Sequence, residues 1–227
     1  MPRRPTIAPA FALAFIVCAG TLPAQDWESV AARSDPSMDG FIVQSIIDGD
    51  LENGIALCKG LGRRKDLDVQ AVIDSLATRR TPGSETKSEV MLRWLVVSAK
   101  DAHPEADSLR AWAAANSRSV DLLLERISLW KSAQLKGALL TLAVIAPEDR
   151  GARAIMDVGR DVVRELEDSP DGLIPPQDIA LALDFLAAAR RSARAELFPV
   201  CADIARLSRE KVLVDAARSA AIDLSAH

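Results

Sequence analysis

The sequence predicts an all-α fold, an α-α superhelix (solenoid) of about four to five helical hairpins over residues 38–227. The first observation is a self-similarity in the C-terminal half. An alignment of Leu140 with Leu181 also places Leu142, Ile145 and Ala146 on Leu183, Leu186 and Ala187, and residues 152–154 on residues 193–195. A period of this order, roughly 40 residues, is typical of stacked hairpins, because each hairpin buries its apolar face against the next.

The second and third observations are helical spacing of apolar residues and a scarcity of strand signals. One-face helical spacing begins after residue 38 and recurs in four sets: Phe41, Ile42, Ser45 and Ile46; Leu51, Ile55, Cys58 and Leu61; Val69, Val72, Ile73 and Leu76; Met91, Trp94, Leu95 and Ser98. The chain has no tyrosine and no alternating runs bounded by hairpin turns. We therefore expect about ten helices of roughly 10 to 18 residues joined by short loops.

Proline and charge mark the expected helix ends. An acidic residue follows within two positions of each of three prolines, Pro104, Pro147 and Pro176. This pattern predicts three helix starts. Proline has no N–H that would be left unpaired in the first turn, and acidic residues are stabilised by the positive end of the helix dipole. Basic residues at 63–65, 79–80 and 190–191 fall at inferred C-terminal ends, where positive charge is favoured.

Two segments carry a resemblance to a known class of repeats. Residues 66–73 and 149–155 each open with an acid, continue with small and basic or polar residues, and run into an apolar stripe. In this the chain resembles the HEAT and armadillo α-helical repeats, which implies a curved stack of hairpins with an extended binding surface. Residues 191–194 depart from the pattern by lacking the acid, and Pro199 predicts a kink or a new helix. A non-repetitive helical bundle is the alternative fold.

The N-terminus is typical of an export signal. Arg3 and Arg4 precede an uncharged apolar stretch at 8–20, and small residues lead to an expected cleavage site after Ala24. We interpret residues 1–24 as a signal peptide and 25–37 as a linker, which predicts a periplasmic or secreted protein. The alternative is an uncleaved N-terminal anchor, although the apolar stretch is shorter than the roughly 20 residues of a membrane span.

Composition restricts the possible partners. Without residues 1–24 the chain keeps 26 basic and 32 acidic residues, a net charge of −6. This mildly acidic balance lacks the basic footprint of nucleic-acid binding, so nucleic acid is not an expected partner. No later apolar run approaches the length of a membrane span.

The residues that could carry chemistry are few. Cys58 and Cys201 stand in apolar helical contexts far apart in the sequence, so we expect two buried thiols rather than a disulfide. His103 precedes a proline and is expected to be a solvated loop residue. Motifs for metalloproteases, nucleophilic serine or phosphate loops are lacking, so the sequence predicts no catalytic residue, metal site or cofactor.

For three further features we favour a structural interpretation over a functional one. Residues 48–54 superficially resemble a calcium loop, but Asn53 occupies the glycine position and Lys59 the position of the closing glutamate, which predicts a turn between helices. The carboxylates at 167–168 are expected to be solvated or capping groups. Trp94, Trp112 and Trp130 recur at a constant interval and are expected to pack in the core rather than to bind a partner.

From the sequence we expect an exported, non-catalytic helical-repeat scaffold that binds a protein or peptide partner. The reason is the architecture, since a solenoid presents an extended surface and needs no reactive centre. One alternative is an envelope hydrolase or lyase that uses acids and arginines between helices, which a pocket lined by two carboxylates with shifted pKa values would favour. The other is a purely structural envelope protein.

Overall fold

The computed structural model describes residues 26–33, 39–64, 72–73, 75–76, 86–146 and 148–226. These residues form helices, two 3-10 turns and short connections, with no strand among them, which confirms the all-α class. No helix in these ranges combines the length and apolarity that crossing a membrane requires. The expected signal peptide, residues 25 and 34–37 of the expected linker and residues 66–71 of the repeat-like segment lie outside the described residues. The basic residues at 65 and 79–80, which were predicted at helix ends, also lie outside them.

Eleven α-helices follow one another along the described chain. In order they are α1 (Trp27–Arg33), α2 (Asp39–Asp48), α3 (Leu51–Gly62), α4 (Lys87–Ala102), α5 (Ala106–Ala115), α6 (Ser117–Glu125), α7 (Ala133–Ile145), α8 (Glu148–Asp168), α9 (Pro176–Ser192), α10 (Phe198–Leu207) and α11 (Lys211–Ser225). The 3-10 turns are Ile127–Leu129 and Ala195–Leu197.

Part of the expected linker is helical. Residues 27–33 form α1, which packs against α3 with Ala31 fully buried. The close approach depends on Gly60, because a Cβ there would overlap the carbonyl oxygen of Glu28. Glu28 also pairs with Arg63 at 2.6 Å. The short length of α1 left no clear period in the sequence.

Side-chain caps explain several helix starts. Asp50 accepts from the backbone N–H of Asn53 at 2.8 Å, so residues 48–50 form the expected turn before α3. Thr86 and Glu89 form a reciprocal capping box at the start of α4. Ser132 caps α7 by accepting from the N–H of Leu135 at 3.2 Å.

The proline signals are accurate at one start and displaced at another. α9 begins at Pro176 as predicted, and Arg190 and Arg191 lie in its last turn. The helix expected at Pro104 begins slightly later, at Ala106, with Glu105 as its N-cap. Pro147 lies outside the described residues.

The helices pack in two rows. One row follows the contacts of α1 with α3, α3 with α4, α4 with α7, α7 with α9, and α9 with α11. The second row follows the contacts of α6 with α8 and of α8 with α10. α7 packs on α8 and α10 on α11, so the two rows share one hydrophobic core.

Three helices of the first row bury the same five relative positions. The spacing is i, i+4, i+5, i+7 and i+8, occupied by Met91, Leu95, Val96, Ser98 and Ala99 in α4, by Leu135, Leu139, Leu140, Leu142 and Ala143 in α7, and by Leu181, Phe185, Leu186, Ala188 and Ala189 in α9. We call the alignment of Leu135 with Leu181 the buried register. The second row follows the same register, with Ala154, Ile155 and Val158 of α8 matched by Val200, Cys201 and Ile204 of α10.

The register predicted from the sequence, which aligns Leu140 with Leu181, is therefore wrong. It places the buried Ala143 on the exposed Asp184, and it places residues 152–154, inside α8, on residues 193–195, where Ala193 has a φ of 51° and ends α9. The sequence alignment matched two pairs of leucines, at 140 and 142 and at 181 and 183, in which one residue separates the two leucines. The resulting five-position error turns an α-helix by about 140°, so Leu183 is only partly buried whereas Leu142 is fully buried.

The corrected register makes a prediction about stability. Leu142→Ala should cost about 2 to 5 kcal/mol of unfolding free energy, because it opens a cavity in the fully buried row. Leu183→Ala should cost distinctly less, because its side chain already contacts solvent. Urea unfolding of both variants measures the difference.

The matched control is Arg191→Ala, an exposed position expected to change stability by no more than about 0.5 kcal/mol. Arg150 would be a poorer control, because it pairs with Asp121 of α6. Equal costs for Leu142→Ala and Leu183→Ala would contradict the buried register.

Candidate functional site

Two concave features flank α7. We call the first the face groove: it lies over the outer side of α7 between α4 and α9, has a volume of about 230 Å³, and is lined by Val97, Lys100, Asp101, Gln134, Gly137, Ala138, Thr141, Asp184 and Arg191, with Val96 and Leu140 beneath. We call the second the edge pocket: it has a volume of about 440 Å³ and lies between the connection before α7, the C-terminal half of α8 and the start of α9.

The face groove exists because α7 carries small residues on its outer side. By the matched buried positions of α4 and α7, Gly137, Ala138 and Thr141 of α7 correspond to Arg93, Trp94 and Val97 of α4. Because α7 has glycine and alanine where α4 has an arginine and a tryptophan, the outer surface of α7 lies lower than that of α4. The groove is therefore a local feature of α7 rather than a property of every helix in the row.

Asp184 lies against the floor of this groove. A Cβ at Gly137 would overlap the Oδ2 atom of Asp184, so the carboxylate rests directly on the bare backbone of α7. Glycine inside a helix costs roughly 1 kcal/mol relative to alanine, and at position 137 it makes room for this carboxylate. Burial raises the pKa of Asp184, and the positive charges of Lys100 and Arg191 partly offset that rise.

The charges around the groove face one another without pairing. Among the described residues, no salt bridge joins Asp184 to Lys100 or to Arg191. The Nε of Arg191 donates instead to the carbonyl oxygen of Ala187 at 3.2 Å. The groove thus presents two acceptor carboxylates, Asp101 and Asp184, and two cationic donors to whatever occupies the space between them.

The α4 side of the groove adjoins an aromatic surface. Trp94 is half-buried, and the Nζ of Lys59 from α3 lies 4.0 Å from its ring centroid, within the range of a cation–π contact. Of the three tryptophans expected in the core, Trp112 and Trp130 are buried there, whereas Trp94 remains on the same face as Val97.

The edge pocket is held by two interactions that cross between elements. Glu89, buried at the start of α4, accepts a hydrogen bond from the backbone N–H of Lys131 at 2.7 Å and so fixes the connection before α7. Lys136 of α7 donates to Asp161 of α8 at 2.7 Å, and both side chains are largely buried. The ion pair forms the polar floor of the pocket.

The pocket also contains Asp178 from the first turn of α9. Burial raises the pKa of Asp178, and the nearby charge of Lys136 partly offsets the rise. Arg164 and Glu165 of α8 line the same pocket, and Leu129, Ile174 and Leu181 supply apolar walls. The pocket therefore combines carboxylates, cations and apolar surface in one cavity.

Cys58 and Cys201 are buried free thiols, as the sequence predicted, whereas Cys18 lies outside the described residues. Burial raises the pKa of Cys58 to about 12 and that of Cys201 to about 11. At neutral pH both are protonated, and neither is poised as a nucleophile.

His103 corrects an expectation. It was expected to be solvated but is only 3% exposed, and its Nδ1 lies 3.0 Å from the hydroxyl of Ser108. Its backbone ends α4, with its N–H bonded to the carbonyl of Ala99. The ring thus packs where α4 turns into α5, because the short connection folds it back onto the second helix.

The remaining sequence candidates lie in turns and at helix ends. Residues 48–50 form the predicted turn, in which Asp50 caps α3. No group of three potential metal-ligating side chains occurs among the described residues. Glu167 and Asp168 are exposed at the end of α8. Neither concave feature was predicted from the sequence; the one available signal was Gly137 inside an otherwise strong helix-forming segment.

Comparison with protein families, with curated proteins and with solved structures finds no match to this chain.

The thiol assignment can be checked by labelling. At pH 8, Cys58 and Cys201 should react with an aromatic disulfide reagent only slowly, because both thiols are buried and their pKa values lie well above that pH. In denaturant, both should react completely without prior reduction. If labelling in denaturant required a reductant, Cys58 and Cys201 would be joined by a disulfide, which would contradict the structure.

Proposed function

We propose that the protein is an exported, non-catalytic helical-repeat scaffold, similar in kind to the HEAT and armadillo class, which binds an extended segment of a protein or peptide partner. The sequential contacts within each row of helices and the recurring burial pattern support a stack of hairpins. The N-terminal order of basic, apolar and small residues supports export.

The observation that carries the proposal is the set of unpaired charges over Gly137. A peptide bond presents one N–H donor and one C=O acceptor. Asp184 can accept from the N–H, while Lys100 and Arg191 can donate to the carbonyl. Because two cations and two acids line the groove, it carries no net charge, which suits a neutral main chain better than an anion or a cation.

The geometry of the groove also suits an extended chain. Its lining residues come from three successive helices of one row, so an occupant that crosses the row contacts α4, α7 and α9 in turn. Thr141 and Gln134 lie on α7 one turn to either side of Gly137 and Ala138 and provide neutral hydrogen-bonding groups. The half-buried Trp94 offers an apolar contact beside the groove.

The test separates binding from stability. Peptides selected from a random display library on the purified protein should bind the wild type, and Gly137→Ala should weaken that binding roughly tenfold or more, because the new methyl group displaces the Asp184 carboxylate. The same change should leave stability unchanged or raise it by up to about 1 kcal/mol. Fluorescence anisotropy and urea unfolding measure the two effects.

The matched control is Gly40→Ala in α2, where a Cβ would have no atom within 4 Å. It should leave peptide affinity unchanged. Failure to select any peptide, or equal affinities for wild type and Gly137→Ala, would contradict the proposed binding surface.

A second candidate function follows from the edge pocket. Asp161 and Asp178 line one cavity, and the raised pKa of Asp178 is the property expected of a general acid in a hydrolase or lyase. The candidate is weaker because Asp161 is already paired with Lys136. Mass spectrometry after long incubation of the protein with the selected peptides distinguishes the two: a scaffold leaves them intact, whereas an enzyme produces products whose formation Asp178→Asn abolishes.

A further inference from the structure

Two carboxylates of the edge pocket have no cation of their own. Asp161 accepts from Lys136 at 2.7 Å and from Arg164 at 3.5 Å, so its charge is already compensated. Within the described part of the chain, neither Glu165 nor Asp178 forms a salt bridge or a side-chain hydrogen bond. Both nevertheless line the cavity. The pocket therefore has spare acceptor capacity on its polar side.

Apolar side chains form another part of the pocket lining. Leu129 stands 53% exposed at the mouth, and Ile174 and Leu181 form the deeper wall. Trp130 borders the cavity with its indole Nε1 donating to the carbonyl of Leu123 at 3.3 Å. The hydrogen bond from Lys131 to Glu89 holds the same connection from the other side. These contacts preform the pocket in the absence of a ligand.

An occupant must therefore be apolar along one part and cationic at its tip. A lysine side chain has this construction, with four methylene groups below an ammonium that carries three donors. We propose that the edge pocket receives a lysine side chain of the polypeptide partner, with its stem against Leu129, Ile174 and Leu181 and its ammonium between Asp178 and Glu165. The identity of the occupant as a polypeptide rests on the proposed function.

The pocket lining has three cations and three acids. Lys136 and Arg164 are engaged with Asp161, and Lys131 is exposed at the rim, so the carboxylates of Asp178 and Glu165 keep acceptor sites for a further ammonium. Burial raises the pKa of Asp178 even with Lys136 nearby. A bound ammonium would favour the ionised carboxylate, so affinity should fall as the pH drops through the titration of Asp178 and should be constant above it.

The position of the pocket fits a partner that also occupies the face groove. Ala133 and Lys136 of α7 line the edge pocket, and Gln134 and Gly137, each adjacent in sequence to one of them, line the face groove. The first turns of α7 thus separate the two cavities. One extended segment can place its main chain in the groove and a nearby lysine in the pocket, because successive residues of an extended chain advance about 3.3 Å.

The test uses small probes, so that it does not depend on the groove. N-acetyl-lysine-N-methylamide should shift the NMR signal of the Trp130 indole N–H in a saturable manner, because this group borders the pocket. N-acetyl-norleucine-N-methylamide keeps the stem but lacks the charge, and it should bind at least about fivefold more weakly. Asp178→Asn should abolish the difference between the probes and reduce the pH dependence of lysine binding.

The control is Asp171→Asn, which removes an exposed carboxylate from the connection between α8 and α9 without touching the pocket. It should leave lysine binding unchanged. Equal binding of the two probes, no binding of either, or an undiminished preference for lysine in Asp178→Asn would overturn the inference. If one of these outcomes occurs while Gly137→Ala still weakens binding of the selected peptides, the lysine inference fails and the proposed function stands. If the lysine probe binds as expected but Gly137→Ala leaves peptide binding unchanged, only the assignment of the groove is rejected.

Discussion

The structure depends on the close packing of α4, α7 and α9 through one repeated set of buried positions. Each set ends in alanine, at Ala99, Ala143 and Ala189, and all three are almost completely buried. A small residue at the same place in each helix allows neighbouring helices to pack closely, and the larger residues at the first three positions fill the core. Because the inward positions are in register, the outward positions of the three helices can be compared one by one, and their residues differ from helix to helix.

Both candidate sites follow from departures concentrated on α7. On its outer side, Gly137 and Ala138 replace the large residues found at the equivalent positions of α4, and the carboxylate of Asp184 occupies part of the space. At its first turns, Lys136 pairs with Asp161 across the rows and forms the floor of the edge pocket. The helices on either side keep α7 in place, so these substitutions create concave surfaces without altering the packing. Buried positions thus keep a common spacing in α4, α7 and α9, while exposed positions differ among these helices.

The helical class, several helix ends and the burial of both cysteines could be predicted from the sequence, because they depend on local spacing and on caps such as Asp50 and Thr86. The register of the buried positions could not be predicted. The leucine pairs at 140 and 142 and at 181 and 183 are identical in sequence, whereas the positions that are equivalent by burial, Leu142 and Ala188, hold different residues. The same limit applies to His103, which the fold of a short connection buries. The groove brings together Lys100, Asp184 and Arg191 from helices distant in the sequence, and only the packing of the row places them around one cavity.

The central claim, that the groove over α7 receives a polypeptide segment, is tested most directly by site-specific photo-crosslinking in cells that produce the protein. Benzoylphenylalanine at Thr141, inside the groove, should give a discrete covalent adduct with another polypeptide, whereas the same residue at the exposed Glu167 of α8 should not. The adduct at position 141 should disappear when Gly137→Ala is added, because the Asp184 carboxylate then moves into the groove. A uniform background at both positions, or an adduct at position 141 that persists in the Gly137→Ala background, would contradict the assignment of the groove as the binding surface.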